Sequence, residues 1–140
     1  MKKYILARWL RSNGIKLHMD EIAEISDDDD IFGFYGEEYL VLSDEGANEK
    51  AREYILDSLW AFNSSFLESH TGIDEEVLRQ IQEKMCEGCN EVILRLIKDI
   101  EHLISDAILS DGRGHFLSSY DGKENEIKYC KKYYYIYRVN

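Results

Sequence analysis

Residues 31–42 read Ile-Phe-Gly-Phe-Tyr-Gly-Glu-Glu-Tyr-Leu-Val-Leu, two runs of aromatic and aliphatic residues on either side of a Gly-Glu pair. Such a pattern is typical of two antiparallel strands joined by a tight turn, because glycine adopts the backbone angles that the turn requires. We therefore predict a β-hairpin near residues 31–42. Residues 116–117, 127–129 and 133–139 are also rich in aromatic and β-branched side chains, which predicts further short strands within residues 114–139.

Apolar residues recur at helical spacing through most of the chain between these strands and at its start. It predicts helices over residues 2–11, 48–69 and 91–110, one helical turn at 20–25, and a helix that Asp74 caps and that reaches Met85. Gly88 leaves open whether the last two helices are one kinked helix. The predicted fold class is α+β, with a helical core and a small antiparallel sheet, in a single domain of 140 residues.

Charge gives the clearest indication of function. The chain carries 17 basic and 28 acidic side chains, a formal net charge of −11, and 12 of the acidic ones lie in residues 20–50. This sign argues against direct binding of nucleic-acid phosphates and favours a basic protein surface as the partner. A solvated surface that only keeps the protein soluble is an equally good interpretation. The predicted partner-binding residues are Asp27, Asp28, Asp29, Asp30, Glu37, Glu38, Asp44 and Glu45.

Two motifs suggest metal sites, and neither has the full pattern. Cys86 and Cys89 form a lone CxxC without a second ligand pair, so we interpret them as small buried hydrophobic residues rather than as a zinc or redox site. A calcium loop starting at Asp27 would place Glu38 correctly, yet Phe32 occupies the position that requires glycine. We expect neither a metal ion nor a cofactor.

Residues 111–124 read Asp-Gly-Arg-Gly-His-Phe-Leu-Ser-Ser-Tyr-Asp-Gly-Lys-Glu and combine flexible glycines with reactive side chains. One hypothesis is a small enzyme or ligand-binding pocket, in which Arg113 holds an anion, His115 acts as acid or base, and Asp121 and Glu124 complete the site. The alternative is structural, with Arg113 and Asp121 paired across a turn. The segment has no nucleophile elbow, phosphate-binding loop or zinc-binding HExxH motif, so we favour the structural role and a non-enzymatic protein.

The tyrosine-rich last strand suggests a third hypothesis, because alternate residues of a strand share a face. Tyr133, Tyr135 and Tyr137 share one face, and Tyr134, Ile136 and Arg138 share the other. Aromatic and arginine side chains are enriched at protein interfaces, so the chain could be an accessory subunit that oligomerises through this strand or through a helical face. The oligomeric state is left open.

Three segments carry a resemblance to a known group of proteins: Asp-Ser-Leu-Trp-Ala-Phe-Asn at 57–63, Gly-Arg-Gly-His-Phe-Leu-Ser-Ser-Tyr-Asp-Gly at 112–122, and Tyr-Ile-Tyr-Arg at 135–138. Over residues 53–140 the chain resembles small acidic proteins of bacteriophages and mobile elements. The resemblance implies no catalytic residue. It implies a context in which such proteins block host defences by binding the nucleic-acid surface of a nuclease, as anti-CRISPR and DNA-mimic anti-restriction proteins do.

These observations together predict where the protein acts and what it binds. The sequence has no apolar run long enough to span a membrane and no secretory signal, so we expect a location in the cytoplasm of a bacterial host. The expected partner is the basic surface of a host protein such as a nuclease complex. Neither nucleic acid nor a membrane is an expected partner.

Overall fold

The computed structural model describes residues 1–25 and 30–140. The strands are β1 (Ala23–Glu24), β2 (Ile31–Phe34), β3 (Glu37–Ser43), β4 (Asn125–Tyr129) and β5 (Lys132–Arg138). The α-helices are α1 (Lys2–Ser12), α2 (Asp44–Asp57), α3 (Ser64–Thr71), α4 (Glu75–Met85), α5 (Asn90–Leu96), α6 (Ile100–Asp111) and α7 (Arg113–Leu117). Short 3₁₀ segments lie at Met19–Glu21, Leu59–Ala61 and Cys86–Cys89. The predicted α+β class is confirmed.

The strands form one antiparallel sheet in the order β1-β2-β3-β5-β4. The predicted hairpin is confirmed, since β2 pairs with β3 around a two-residue turn at Tyr35 and Gly36. Both turn residues have positive φ angles, 48° and 80°, which match the right-handed twist of the strands that they join. Strand β3 also pairs with β5, so the two strand-rich parts of the chain meet in one sheet, as predicted.

Helix α1 supplies the apolar cover for one face of the sheet, and its prediction is confirmed. Its inward residues Ile5, Leu6 and Leu10 are buried in the same cluster as Val41 of β3 and Ile136 of β5. Burying each such side chain contributes about 1.5–3 kcal/mol to folding. The cluster also contains Ala7, Leu17, Ile22, Phe32, Phe34, Tyr39 and Tyr134.

The chain divides into two compact units. We call residues Met1–Ala51 with Arg113–Asn140 the sheet unit, and Arg52–Gly112 the helical unit. The helical unit has its own fully buried residues, namely Ile55, Leu59, Leu67, Leu78, Cys89, Ile93 and Leu103. The expectation of a single domain stays a prediction.

The prediction of one continuous helix over residues 48–69 is wrong. Helix α2 ends at Asp57, and α3 begins at Ser64 after a 3₁₀ turn. Asn63 is the N-cap of α3, and its side-chain oxygen accepts the Ser65 N–H at 2.8 Å. Asparagine and serine favour caps over helix interiors, because their short side chains bond to the nearby backbone.

The predicted helix over 91–110 is also interrupted. Helix α5 ends at Leu96 and α6 begins at Ile100, where the Asp99 carboxylate accepts the His102 N–H at 3.2 Å. Apolar residues keep their spacing through this break, so periodicity alone does not reveal it. At Gly88 the chain forms a 3₁₀ turn that separates α4 from α5, so these are two helices.

Two short predictions were wrong. Residues 116–117, predicted as a strand, lie in helix α7. Residues 20–25 hold only the end of a 3₁₀ turn before β1, whose Ala23 and Glu24 pair with Gly33 and Phe32. Sheet pairing outweighs a helical pattern that rests on two isoleucines. Among the described residues, no helix has the length and apolar character needed to cross a membrane.

Candidate functional site

The structure places the predicted acidic binding residues of the sheet unit in different surroundings. Residues 27–29, the first three of the aspartate run, lie outside the described residues. Asp30 forms an ion pair with Lys2. Glu45 is exposed and Glu38 is partly buried, and neither side chain forms an ion pair within the described part of the chain.

Glu37 and Asp44 are also held by basic side chains of the sheet unit. Glu37 lies 3.3 Å from the Arg138 guanidinium and accepts the hydroxyl of Tyr39. Asp44 lies 2.9 Å from Nη1 of Arg113. These carboxylates already have cationic partners, so they contribute less to an acidic surface than the sequence suggests.

Arg113 is the centre of a polar network that joins helix α2, helix α7 and the loop before β4. Its Nε donates to Glu124 Oε1 at 2.8 Å, and its Nη1 donates at 2.9 Å to both Asp44 Oδ1 and Asn48 Oδ1. The guanidinium carbon lies 4.4 Å from the ring centroid of Tyr135, a cation–π distance. Only 11% of the side chain is exposed.

The partners of Arg113 in this network are groups of the protein itself. Burial disfavours the Arg113 cation, yet hydrogen bonds to Glu124 and Asp44 outweigh that effect and raise its pKa. Tyr137 donates its hydroxyl to Glu124, and burial together with this bond raises the pKa of the phenol. The Arg113 N–H groups, which were predicted to bind an anion, therefore donate to acceptors of the protein itself.

The expected pair between Arg113 and Asp121 was wrong, because Asp121 has other partners. Its carboxylate accepts the Lys123 N–H at 3.0 Å and the Ser118 hydroxyl at 2.9 Å. The Lys123 backbone bond, followed by that of Ser118, lowers the pKa of Asp121. The loop carboxylate thus stabilises the turn that leads into β4.

His115 lies at the surface of helix α7. Its side chain is exposed, and its ring packs edge-on against Phe116 with centroids 5.0 Å apart. No hydrogen bond or ion pair to its ring occurs among the described residues. Of the four predicted ligand residues, the structure brings Arg113 and Glu124 together and leaves His115 and Asp121 outside their network.

The three cysteines are free thiols. Cys89 is fully buried, and burial raises its pKa, which agrees with the predicted hydrophobic role. Cys86 is exposed, so the same prediction was wrong for that residue. The difference arises at the end of α4, where Cys86 adopts a positive φ of 49° that turns the chain into the 3₁₀ segment.

Most of the net charge lies in the helical unit, all of whose residues are described. Residues 52–112 carry 13 acidic and five basic side chains, a net charge of −8. Four carboxylates contact a basic or histidine side chain: Glu76, Glu91, Glu101 and Asp106. Within the described part of the chain, six exposed carboxylates make no side-chain hydrogen bond or ion pair: Glu53, Asp57, Glu75, Glu83, Glu87 and Asp111.

One cluster in the helical unit was not predicted from the sequence. His70, His102 and Asp106 each offer one ligand atom, and these atoms lie within 4.8 Å of one another. His102 and Asp106 are four residues apart on a predicted helix, which places them on one face and is a signal that the sequence contained. His70 lies 32 positions before His102 in the sequence, on another helix, and no local pattern connects it to the pair.

Comparisons with known proteins return no relative of this chain. No protein-family model, no curated protein and no solved structure matches it. The resemblance to phage and mobile-element proteins therefore stays a prediction, and function has to be inferred from the chain's own residues.

Proposed function

We propose that this chain is a non-enzymatic binding protein whose exposed carboxylates bind a basic surface of a partner protein. The observation that carries the proposal is the set of six exposed, unpaired carboxylates in the helical unit, within a segment of net charge −8. Carboxylates without a neighbouring cation are not compensated within the protein, so they add to the negative potential around it. A field of this sign attracts basic surfaces and speeds the encounter with them.

The helical unit is better suited to this role than the described carboxylates of residues 30–45. The sheet unit carries 15 acidic and 12 basic side chains, a net charge of only −3. Asp30, Glu37 and Asp44 within it are bound to Lys2, Arg138 and Arg113. Asp27–Asp29 remain part of the proposed binding surface on their charge alone.

The class of partner follows from the same charge. Proteins that bind nucleic acid present rows of lysine and arginine to phosphates, and an acidic protein can occupy such a groove in place of the nucleic acid. The resemblance to phage and mobile-element proteins favours a nuclease of a bacterial defence system. We therefore propose inhibition of a nucleic-acid-binding defence protein by occupation of its basic groove.

The first experiment is affinity capture with the tagged full chain from lysate of a bacterium that carries CRISPR and restriction systems. The expected result is capture of a nuclease at low salt, its release at high salt, and its displacement by added DNA. Salt screens exposed charges, with a Debye length of about 8 Å at physiological ionic strength. Retention of the nuclease at high salt and in excess DNA would contradict the proposal.

Two triple variants with the same change in net charge separate local contacts from overall charge. E53Q/E83Q/E87Q removes unpaired carboxylates, whereas E76Q/E91Q/E101Q removes carboxylates that already pair with Arg79, Arg95 and Arg52. The first variant is expected to weaken capture more than the second, since each exposed contact contributes up to about 1 kcal/mol. Unchanged capture by E53Q/E83Q/E87Q would exclude these carboxylates from the binding surface.

A further inference from the structure

We propose that His70, His102 and Asp106 form a binding site for a divalent transition-metal ion, with Zn²⁺ as the best match. The site joins helix α3, which carries His70, to helix α6, which carries the other two residues. Two imidazole nitrogens and one carboxylate oxygen are ligands that zinc prefers, whereas calcium and magnesium prefer oxygen alone. This inference does not depend on the proposed partner binding.

The buried ring of His70 is the observation that points to a ligand. Only 3% of its side chain is exposed, and its buried Nε2 atom has no hydrogen-bond partner among the described residues. A buried polar atom without a partner carries a desolvation cost, so native structures rarely leave one unexplained. Phe66, one turn earlier on α3, packs against the ring with centroids 4.9 Å apart and limits its movement.

The contact between His70 and Asp106 has the distance of a hydrogen bond and lacks its direction. Nε2 of His70 lies 2.9 Å from Oδ2 of Asp106, although no hydrogen bond satisfies that nitrogen. A hydrogen bond requires the oxygen itself to lie along the N–H direction. A metal ion would lie along that in-plane direction about 2 Å from Nε2, with the carboxylate oxygen to one side of the line, so the same pair of atoms can form an edge of a coordination shell.

The distances from the Asp106 oxygen to the two histidine nitrogens are close to the edge length of a tetrahedral zinc site. Nε2 of His102 lies 3.7 Å from the same Asp106 oxygen, and the His70 and His102 ring centroids are 5.1 Å apart. Zinc bonds of about 2.0–2.2 Å place tetrahedral ligand atoms roughly 3.3 Å apart. The two observed distances from the Asp106 oxygen, 2.9 and 3.7 Å, lie on either side of that value.

The backbone holds the two helices in register around the cluster. The His70 carbonyl accepts the Lys98 N–H at 3.0 Å, and Asp99 caps α6 one residue later. His102 and Asp106 are four residues apart on α6, the spacing that places two side chains on one helix face. His102 is 64% exposed and Asp106 is 41% exposed, so water can complete the coordination from the open side.

The test is a calorimetric titration of the full chain with ZnCl₂ after removal of metal by a chelator. We expect one ion per chain with a dissociation constant of about 1 μM or lower. H102A and D106N are each expected to weaken binding at least tenfold, because changes to groups that only support a ligand already cost about 10–100-fold. Both side chains are substantially exposed, so these variants should fold normally, which circular dichroism without metal will check.

Two controls identify the ligands. H115A removes an exposed histidine outside the cluster and should leave zinc affinity unchanged, as should C86S/C130S, which removes both exposed thiols. Cobalt bound to the chain should show no thiolate charge-transfer band. Added zinc should also raise the melting temperature of the unaltered chain and leave that of H102A nearly constant.

Three results would overturn the site. Absence of saturable zinc binding would mean that His70 and Asp106 form only an ion pair. Unchanged affinity in both H102A and D106N would remove the cluster as the ligand set. Loss of binding in C86S/C130S would place the ion at the thiols.

Discussion

Arg113 binds its acceptors from two sides at once, with Glu124 at Nε and Asp44 and Asn48 at Nη1. A lysine in its place carries one ammonium group on a flexible stem, so it cannot hold both sides or stack flat on Tyr135. We expect R113K to lower the free energy of unfolding by about 2 kcal/mol, the value of a hydrogen bond to a charged group. Urea denaturation of the purified variant measures this loss.

R79K is the matched control for this substitution. Arg79 forms an exposed ion pair with Glu76 on α4, a kind of contact that contributes less than about 1 kcal/mol. Its variant should unfold at nearly the same urea concentration as the unaltered protein. Equal losses in the two variants would show that the Arg113 network has no special structural role.

Two buried tyrosines, Tyr39 and Tyr137, are expected to ionise at higher pH than ordinary tyrosines. Burial and a hydrogen bond to a carboxylate raise the pKa of both Tyr137 and Tyr39. A phenol with a raised pKa in the folded state stabilises the protein below its unfolded pKa of about 10, and that stability is lost as pH rises through the folded value. We expect an absorbance titration of the ten tyrosines to show phenols that stay protonated well above pH 10 until the protein unfolds.

The variant Y137F checks the assignment, because it should remove one of the late-ionising groups. Circular dichroism recorded at each pH separates ionisation in the folded protein from unfolding. A single ionisation of all tyrosines near pH 10 in a folded protein would contradict the structure.

At the scale of elements, helix α7 depends on a glycine that the loop before β4 approaches closely. A Cβ atom at Gly114 would lie 2.5 Å from the carbonyl oxygen of Gly122 and 2.8 Å from the Glu124 nitrogen. These are backbone atoms, so the loop would have to move. We expect G114A to lower the free energy of unfolding by about 2 kcal/mol, as measured by urea denaturation.

Gly88 provides the comparison, since a Cβ atom there meets nothing within 4 Å. G88A should leave stability unchanged or raise it by up to about 1 kcal/mol, because alanine is a better helix former than glycine. If both alanine variants gain stability, close approach of the loop is not what requires glycine at position 114.

The elements that could be predicted are those whose signal is local. Helix α1 has a regular apolar stripe, and the hairpin has two β-rich runs around a glycine, so both were correctly predicted. The sequence predicts a single helix where the structure has α2 and α3, because the apolar spacing continues past Asn63. The side chain of Asn63 caps the start of a new helix. A local cap therefore decides the boundary, and the apolar pattern does not show it.

Sequence patterns also fail to predict contacts in the candidate sites between residues that are far apart in the chain. Arg113 and Glu124 lie in one segment, so their association could be foreseen, whereas Asp44 and Asn48 come to Arg113 from helix α2. His70 likewise meets His102 and Asp106 only through the packing of two separate helices. Such contacts depend on tertiary structure and leave no spacing pattern in the sequence.

At the scale of the whole molecule, the net charge of −11 opposes the compact state by self-repulsion. Raising NaCl from about 10 mM to about 150 mM shortens the Debye length from about 30 Å to about 8 Å, which screens that repulsion. We expect the melting temperature of the metal-free chain to rise by about 2–4 °C, the shift that corresponds to about 1 kcal/mol. Thermal denaturation followed by circular dichroism measures it.

The variant E53Q/E83Q/E87Q should show a smaller rise, because it lacks three of the unpaired carboxylates of the helical unit. An equal rise in this variant and in the unaltered chain would place the main repulsion elsewhere in the molecule.

The order of segments in the sheet unit has a consequence for synthesis on the ribosome. Strand β3 pairs with β5, and Leu40 lies opposite Tyr137, so the whole helical unit is translated between two strands that must meet. The pairing of β3 with β5 cannot form until β5 has left the exit tunnel, whereas residues 52–112 emerge earlier as one uninterrupted stretch. During translation, β3 carries an unpaired edge, and the time for which that edge is exposed increases with any delay within residues 52–112.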